Sequence, residues 1–277
     1  MLNKEVTEKS FVQFSEFLYR QTGIVLGENK SYLVRSRLST LMHQFKVDDI
    51  NVLISTIISQ QSAHIAHAAI DVMTTNETLW FRDSYPFDIL KRTILPNLSD
   101  VGRSIKIWSA ACSSGQEPYS IAMTFKEYCD QSFSRKVSLD IVASDLSTTM
   151  IEKCEAGLYD ELSLSRGGLT PQRRKQFFDV QNDGQSVIKP ELKKLIKFQI
   201  HNLNDTHLVT NKYDVIFCRN VLIYFSPEVK EKILQHFAAS LNSGGILFLG
   251  ASESIGGANQ YFNLVRCEKG LYYQLKS

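Results

Sequence analysis

The residues from Trp108 to Ser120 (WSAACSSGQEPYS) join the end of an apolar strand to a turn of small side chains and then to a helix start with Pro118 in its first turn. Small side chains let a ligand touch backbone, and a helix start offers free N–H groups and a positive dipole end. A strand, a small-residue turn and a helix make the first half of a nucleotide-binding βαβ unit. The turn is not GxGxxG, and it carries Glu117 where a pyrophosphate would lie. A carboxylate there disfavours an anionic cofactor and suits one with a cationic end. S-adenosylmethionine has an ammonium and a sulfonium, so the pattern points to methyl transfer rather than hydride transfer. Taken alone, Glu117 is better explained as an acid on a helix dipole; within a cofactor turn the ammonium-binding role gains ground.

Three further groups of residues are candidates. Asp145 ends the next apolar strand, thirty residues after Gly115. An acid there accepts hydrogen bonds from both ribose hydroxyls, or it caps the helix starting near Ser147. Arg219, Asn220 and Tyr224 follow another apolar strand, Tyr213–Cys218. In open α/β sheets the strand C-termini line the ligand crevice. Against that, Asn220 can cap a turn and Tyr224 can be a core aromatic with a wet hydroxyl. Asn76, Thr78 and Arg82 belong to a polar linker that Leu79, Trp80 and Phe81 should bury. A buried linker carrying arginine can form one wall of a site. The six histidines show no metal-ligand spacing, and His64 and His67, three apart on a helix, read as surface or packing residues. No metal site is expected.

The elements that must position these groups come in two blocks. Residues 1 to about 75 read as helices only: Phe11, Phe14, Phe17 and Leu18 form one apolar face ended by Gly23, and Val34, Leu38, Leu41 and Phe45 repeat at helical spacing. Two shorter helices are expected over Asp49–Ile58 and His64–Met73. A methyltransferase domain is expected over 76–277. In it Phe87–Leu95 is a helix stopped by Pro96. Strands and helices then alternate: Ile105–Ala111, Glu117–Cys129, Leu139–Ser144, a helix from Thr148 closed by Gly157, strands Phe198–Leu203 and Tyr213–Cys218, a helix from Ser226-Pro227-Glu228 to about Leu241, and strand Ile246–Gly250 after a break at Ser243–Gly245. The tail from Phe262 to Leu275 reads as a hairpin turning at Glu268–Gly270. Such alternation predicts a mainly parallel sheet covered on both faces. Residues of about 159–197 break the pattern and read as a small inserted subdomain with a basic helix over Thr170–Phe178.

Composition narrows the class. The chain has 277 residues, 43% of them hydrophobic, and a formal net charge of +2 from 31 basic and 29 acidic side chains. That near-balance shows no nucleic-acid footprint. Five scattered cysteines suit a reducing compartment. With a polar N-terminal stretch and no apolar run of membrane-spanning length, the expectation is a cytoplasmic protein without membrane insertion.

Read together, Asn76-Glu-Thr-Leu-Trp-Phe-Arg-Asp83, Ala111-Cys-Ser-Ser-Gly-Gln-Glu-Pro-Tyr-Ser120, Ala143-Ser-Asp-Leu-Ser147 and Phe217-Cys-Arg-Asn-Val-Leu-Ile-Tyr-Phe225 resemble the CheR family, the chemotaxis-receptor protein-glutamate O-methyltransferases. The resemblance covers nearly the whole chain. It implies a Rossmann-like α/β methyltransferase sheet, a small N-terminal all-α domain and an inserted small β-subdomain. It implies S-adenosyl-L-methionine as cofactor, S-adenosyl-L-homocysteine as product, and glutamates on the cytoplasmic helical bundle of chemoreceptors as acceptors. Carried over by position, cofactor contacts fall on Asn76, Thr78, Arg82, Glu117, Asp145, Asn202, Leu203, Arg219 and Asn220. Arg82 and Tyr224 become the candidates for steering the acceptor carboxylate. The implied protein is a monomer.

Two features bear on the partner. Members that dock on a C-terminal receptor pentapeptide have a longer loop where this chain has Val180–Gln185, so no pentapeptide tether is expected. Lys30 and Arg37, seven apart, share a stripe of the second helix with Arg35 nearby, and an acidic helical substrate would welcome that face. A solvated basic surface explains the same spacing. Two alternatives share the cofactor residues: a methyltransferase of another substrate, and a non-catalytic module that binds S-adenosylmethionine. Against the first, amine-directed enzymes often carry Asn/Asp-Pro-Pro-aromatic where this chain has Arg219-Asn-Val-Leu.

Overall fold

In the computed structural model, which describes residues 5–60, 62–99, 102–131, 137–205 and 212–276, the chain divides into two units. One comprises Met1–Thr75 with Tyr224–Lys230, and the other comprises Asn76–Ile223 with Glu231–Ser277.

The first unit is built on α1 (Glu8–Thr22), α2 (Ser31–Phe45), α3 (Ile50–Ser59) and α4 (Ala63–Met73). Thr7, Asp49 and Ser62 cap the N-termini of α1, α3 and α4, each accepting a backbone N–H from the first turn. Gly23, Lys46 and Gln60 close α1, α2 and α3 in the left-handed conformation. Phe14, Leu18, Val34, Leu38, Leu53 and Ile57 are fully or almost fully buried, as their helical spacing requires. After α1 the chain makes an isolated antiparallel bridge, Ile24 to Phe225, and Val25 N–H donates to the Tyr224 carbonyl (2.9 Å). That bridge is how Tyr224–Lys230 joins this unit.

In the second unit, α5 (Tyr85–Ile89), a π turn over Leu90–Ile94 and α6 (Leu95–Leu98) form one helical rod. Pro96 therefore does not stop the helix. The wide turn before it has a five-residue N–H to carbonyl step, Leu95 to Leu90, which absorbs a ring that would clash in a regular α-turn. The sheet elements follow as β1 (Ile105–Ala110), α7 (Gln116–Gln131), β2 (Leu139–Asp145) and α8 (Thr148–Ala156).

An inserted group comes next: β3 (Leu158–Tyr159), α9 (Glu161–Ser165), α10 (Pro171–Phe177), β4 (Phe178–Val180), β5 (Ser186–Ile188) and α11 (Pro190–Lys193). Then come β6 (Ile196–Ile200), β7 (Tyr213–Cys218), α12 (Pro227–Ser240), β8 (Leu241–Leu249), β9 (Phe262–Cys267) and β10 (Gly270–Leu275). The main sheet runs β6-β2-β1-β7-β8-β10-β9, with the first five strands parallel and β10 antiparallel to both of its neighbours, β8 and β9. The α/β sheet, the helical leader and the inserted β-subdomain expected from the sequence are all present.

Two boundaries differ from expectation. The strand expected over Phe198–Leu203 is β6 and ends at Ile200. Beyond it Asn202 spends its groups on a turn, its side-chain oxygen accepting from Asn204 N–H (3.1 Å) and its carbonyl from Asp205 N–H (2.9 Å). The break expected at Ser243–Gly245 is an irregularity inside β8, where Tyr213 pairs with Leu241 but Val215 pairs with Ile246.

The insert has its own antiparallel sheet, β3-β5-β4. Its aromatic core is completed by Trp80, whose ring meets Tyr159 (4.8 Å between centroids) and Phe178 (5.4 Å) edge-on. Gly167 (φ 91°) lies against the Trp80 backbone, and Gly168 N–H donates to the Trp80 carbonyl (2.6 Å). A β-carbon on Gly167 would drive into that carbonyl oxygen. Gly167→Ala should therefore destabilise the fold by at least about 2 kcal/mol. Urea unfolding checks this, and an unchanged midpoint would refute the packing argument.

Candidate active site

The register of the parallel strands brings the candidates level. Ala110 pairs with Ser144 on one side and with Cys218 on the other, and Cys218 pairs with Leu249. The chain thus leaves the C-terminal edge as Ala111, Asp145, Arg219 and Gly250. Strand order reverses at β1, with β2 and β6 on one side and β7 and β8 on the other, which is the topological switch point where α/β sheets open a crevice.

The turn between β1 and α7 is tied down on several sides. Cys112 N–H donates to the Ser144 carbonyl (2.9 Å) and Ser113 N–H to Asp145 Oδ2 (2.8 Å). Ser113 Oγ donates to the Asn76 carbonyl (2.8 Å), and the Tyr159 hydroxyl to the Ser114 carbonyl (2.7 Å). Burial pushes the Tyr159 phenol well up, which keeps it protonated and able to donate. Cys112 and Cys154, unrelated by sequence spacing, meet under this turn with Sγ atoms 4.0 Å apart and no disulfide.

Glu117, in the first turn of α7, is only 12% exposed at its side chain. It accepts from Ser109 Oγ (2.8 Å) and from the Arg219 guanidinium (3.1 Å). Arg219 is buried and forked: it also pairs with Asp83 (2.6 Å) and donates to the Arg82 carbonyl (2.8 Å). One guanidinium so ties the Arg82–Asp83 turn to the acid of the cofactor loop. Arg82 is half-buried and donates one long bond, to the Glu77 carbonyl (3.3 Å). The turn is locked from below by Phe81, whose N–H donates to Ser120 Oγ (3.1 Å) and whose ring carries the Arg173 guanidinium at 3.7 Å.

Backbone strain concentrates here. Among the described residues, eight that are not glycine have positive φ, and six of them are Phe81, Asp83, Ser84, Ala111, Ser113 and Asn220. The other two, Lys46 and Gln60, are ordinary helix caps. Each left-handed residue costs about 1–3 kcal/mol and persists only where its surroundings over-determine it.

Asp145 is not the cap of α8 but a brace between two turns. Its oxygens accept from Ser113 N–H (2.8 Å) and Ser147 N–H (3.0 Å), so it shapes both turns, while Ser147 itself caps α8. His201 N–H donates to the Asp145 carbonyl (2.9 Å), which sets Asn202 and Leu203 beside it at the end of β6. Asn76, Arg82, Glu117, Asp145, Asn202, Arg219 and Asn220 thus all gather on the strand C-termini or on the segment tied to them, and Thr78 lies half-buried in that same segment.

Other candidates fall elsewhere. Tyr224 belongs to the helical unit. Lys30 is the N-cap residue of α2, with φ −102° and ψ 16°, and its carbonyl accepts from Val34 N–H (3.2 Å). The Arg37 guanidinium bonds Met73 O, Thr74 O and Thr75 Oγ1, satisfying the end of α4. Burial lowers its pKa, and Tyr224 acts in the opposite direction. Lys30 and Arg35 remain exposed. His64 packs edge-on against Phe45 at 5.5 Å, in line with the packing reading. His207 lies outside the described residues, among which no group of side chains could hold a metal ion.

The acceptor-rich crevice fits a ligand that donates hydrogen bonds. Glu117 and Asp145 supply carboxylate oxygens there, and the buried Oδ1 of Asn220 and Oε1 of Glu253 have no hydrogen-bond partner. Glu253 was missed in the sequence, where its only sign is an acid three residues after the glycine that ends a strand. An ammonium and two ribose hydroxyls are the donors such a set calls for.

Residues 76–271 match the CheR methyltransferase, SAM binding domain, and residues 9–74 match the CheR methyltransferase, all-alpha domain. The chain belongs to the CheR methyltransferase family. It is 50% identical over 271 residues to the chemotaxis protein methyltransferase of Vibrio parahaemolyticus, covering 98% of each chain. Identity is 49% to chemotaxis protein methyltransferase 1 of Vibrio cholerae, again over 98% of each. It is 44% to chemotaxis protein methyltransferase 1 of Pseudomonas aeruginosa, over 96% of this chain and 97% of that one. This CheR chain is therefore an S-adenosylmethionine-dependent methyltransferase of the chemotaxis type. Among the described residues, no helix is long and apolar enough to cross a membrane.

Burial pushes the Glu117 carboxyl above its ordinary 4.5, and the charge of Arg219, the Ser109 and Arg219 hydrogen bonds and the charge of Arg82 oppose that rise. A cationic ligand favours the ionised form. Affinity for S-adenosylhomocysteine, which keeps the ammonium, should rise with pH through the elevated pKa and level off above it. Below that pKa the limiting slope is about tenfold per pH unit. Calorimetry from pH 5 to 8 measures the slope, and Glu117→Gln should remove it. A wild-type profile as flat as the variant's would disconnect Glu117 from the ammonium.

Proposed function

We propose that this CheR methyltransferase methylates glutamate side chains on the helical bundle of chemoreceptors, forming glutamate methyl esters in the cytoplasm. The observation that carries the reading is the division of labour between two arginines. Arg219 is consumed in pairs with Glu117 and Asp83, whereas Arg82 stands half-buried at the same turn with a single long bond. A site that must admit a carboxylate beside two acids needs one cation so placed. The names of the relatives, chemotaxis protein methyltransferases, support the acceptor class.

When bound, S-adenosylmethionine supplies a methyl carbon already activated by its sulfonium. Glu117 would hold the ammonium end, Asp145 the ribose, and Asn202 and Leu203 the adenine side, with Asn76, Thr78, Arg82, Arg219 and Asn220 completing the contacts. A glutamate is ionised at neutral pH, its reference pKa being about 4.3, so no general base is required. The chain's task is alignment, which is worth about 7–11 kcal/mol in well-oriented reactions. Arg82 steers the incoming carboxylate. Lys30 and Arg35 offer exposed positive charge to an acidic helix.

The loop between β4 and β5 is short and closed on itself, with Gln181 N–H donating to the Gln185 carbonyl (2.8 Å). This supports recognition without a pentapeptide tether. The test uses receptor-containing membranes, radiolabelled donor and receptors with or without their last five residues. Base-labile label on receptor glutamates, at equal rates for both receptors, is expected. Base-stable label, or none, would reject the glutamate assignment, and a rate that collapses on truncation would reject the untethered one.

A further inference from the structure

Glu253 lies beyond the end of β8, and while its Oε1 has no partner, its other oxygen is fully engaged. Its Oε2 accepts from two backbone amides, Asn220 N–H (2.6 Å) and Gly250 N–H (2.8 Å). Because Cys218 and Leu249 pair, these amides belong to the two chain segments leaving neighbouring strands. One carboxylate oxygen therefore staples the exit of β7 to the exit of β8. The fit leaves no room for a side chain at Gly250, where a β-carbon would come within 2.7 Å of both Glu253 Oε2 and Asn220 Nδ2.

The staple also explains the conformation of Asn220. A non-glycine residue at φ 59° is unfavourable unless something holds it, and the bond to its N–H does so. Arg219 is the residue immediately before. Its buried guanidinium reaches Glu117 on α7 and Asp83 in the strained turn, over sequence separations of 102 and 136 residues. The direction in which the chain leaves Arg219 decides whether both contacts can be made at once.

We infer that Glu253 is a positioning residue: by pinning Asn220 N–H it aims Arg219 at Glu117 and so sets the shape of the acidic notch that receives the donor's ammonium. The inference rests on the donor-binding reading above and extends it to a residue that none of the four sequence segments named at the start contains.

The experiment measures S-adenosylhomocysteine affinity by calorimetry and thermal stability by melting, on the full chain and on Glu253→Ala and Glu253→Gln. The glutamine oxygen can accept both amides, so geometry is kept while charge is lost. Glu253→Ala should weaken binding by about tenfold to hundredfold, and Glu253→Gln should stay within about threefold of wild type. In an Arg219→Ala background, Glu253→Ala should cost little further affinity, because the two act in series. A Glu253→Ala protein that melts earlier but binds normally would reduce Glu253 to a loop support and overturn the inference alone. Glutamine as weak as alanine would also overturn it, since charge rather than geometry would then be at work. Wild-type protein that fails to bind S-adenosylhomocysteine would remove the donor-binding reading and this inference with it.

Discussion

Arg219→Ala is expected to destabilise the methyltransferase unit by about 3–5 kcal/mol and to abolish measurable methyl transfer. The arginine side chain is 2% exposed and sits between Glu117 and Asp83, at 12% and 32%. Removing it leaves one nearly buried carboxylate, and a second half-covered, without their cation. Breaking a buried pair on one side costs that much because the remaining charge is stranded. For a protein of this size the melting temperature should drop by roughly 10 °C. Arg219→Lys separates charge from geometry. A lysine offers one compact ammonium, and it cannot fork to Glu117, Asp83 and the Arg82 carbonyl together. It should recover part of the stability and little of the activity. An alanine variant that melts like wild type would show that the pairs are solvent-screened and carry no weight.

The second large effect concerns Arg82. Arg82→Ala removes the half-buried cation from a turn whose backbone is held by other contacts, chiefly Phe81 N–H to Ser120 Oγ (3.1 Å) and Arg219 to the Arg82 carbonyl (2.8 Å). The turn should therefore survive the substitution. Methyl transfer is expected to fall by about 10²-fold, the penalty for a misplaced reactant. Binding of S-adenosylhomocysteine should weaken by no more than about tenfold, the scale of one lost hydrogen bond. Steady-state kinetics beside calorimetry distinguishes the two effects. Equal losses in transfer and binding would make Arg82 a donor contact only, and no loss in either would remove it from the site.

The parts of this architecture that announce themselves in the sequence are those set by short-range pattern. Val215–Cys218 is a continuous apolar block, and the strand that holds it, Tyr213–Cys218, is fully buried. Ser226-Pro227 starts α12, as a cap followed by proline should. Glu117 and Asp145 were visible because a strand end followed by small or polar residues is a local signal. What stayed hidden depends on long-range pairing or on backbone angles. Asp83 joins Arg219 across 136 residues, and no spacing rule reaches that far. Phe81, Asp83, Ser84, Ala111 and Ser113 are left-handed without a glycine to betray it. The same holds for the meeting of Cys112 with Cys154 and for the role of Arg37 at the end of α4, each made by tertiary packing. Pro96 misled for a different reason: a π turn ahead of it changes the rule that proline ends a helix.

The assignment of Tyr224–Lys230 to the helical unit has a practical meaning for anyone recombining relatives of this chain. A gene cut after codon 75 would look clean on paper, yet it would strand Phe225 from Ile24 and the Tyr224 carbonyl from Val25. Chimaeras that exchange the leader between homologues need a second, downstream patch transplanted with it.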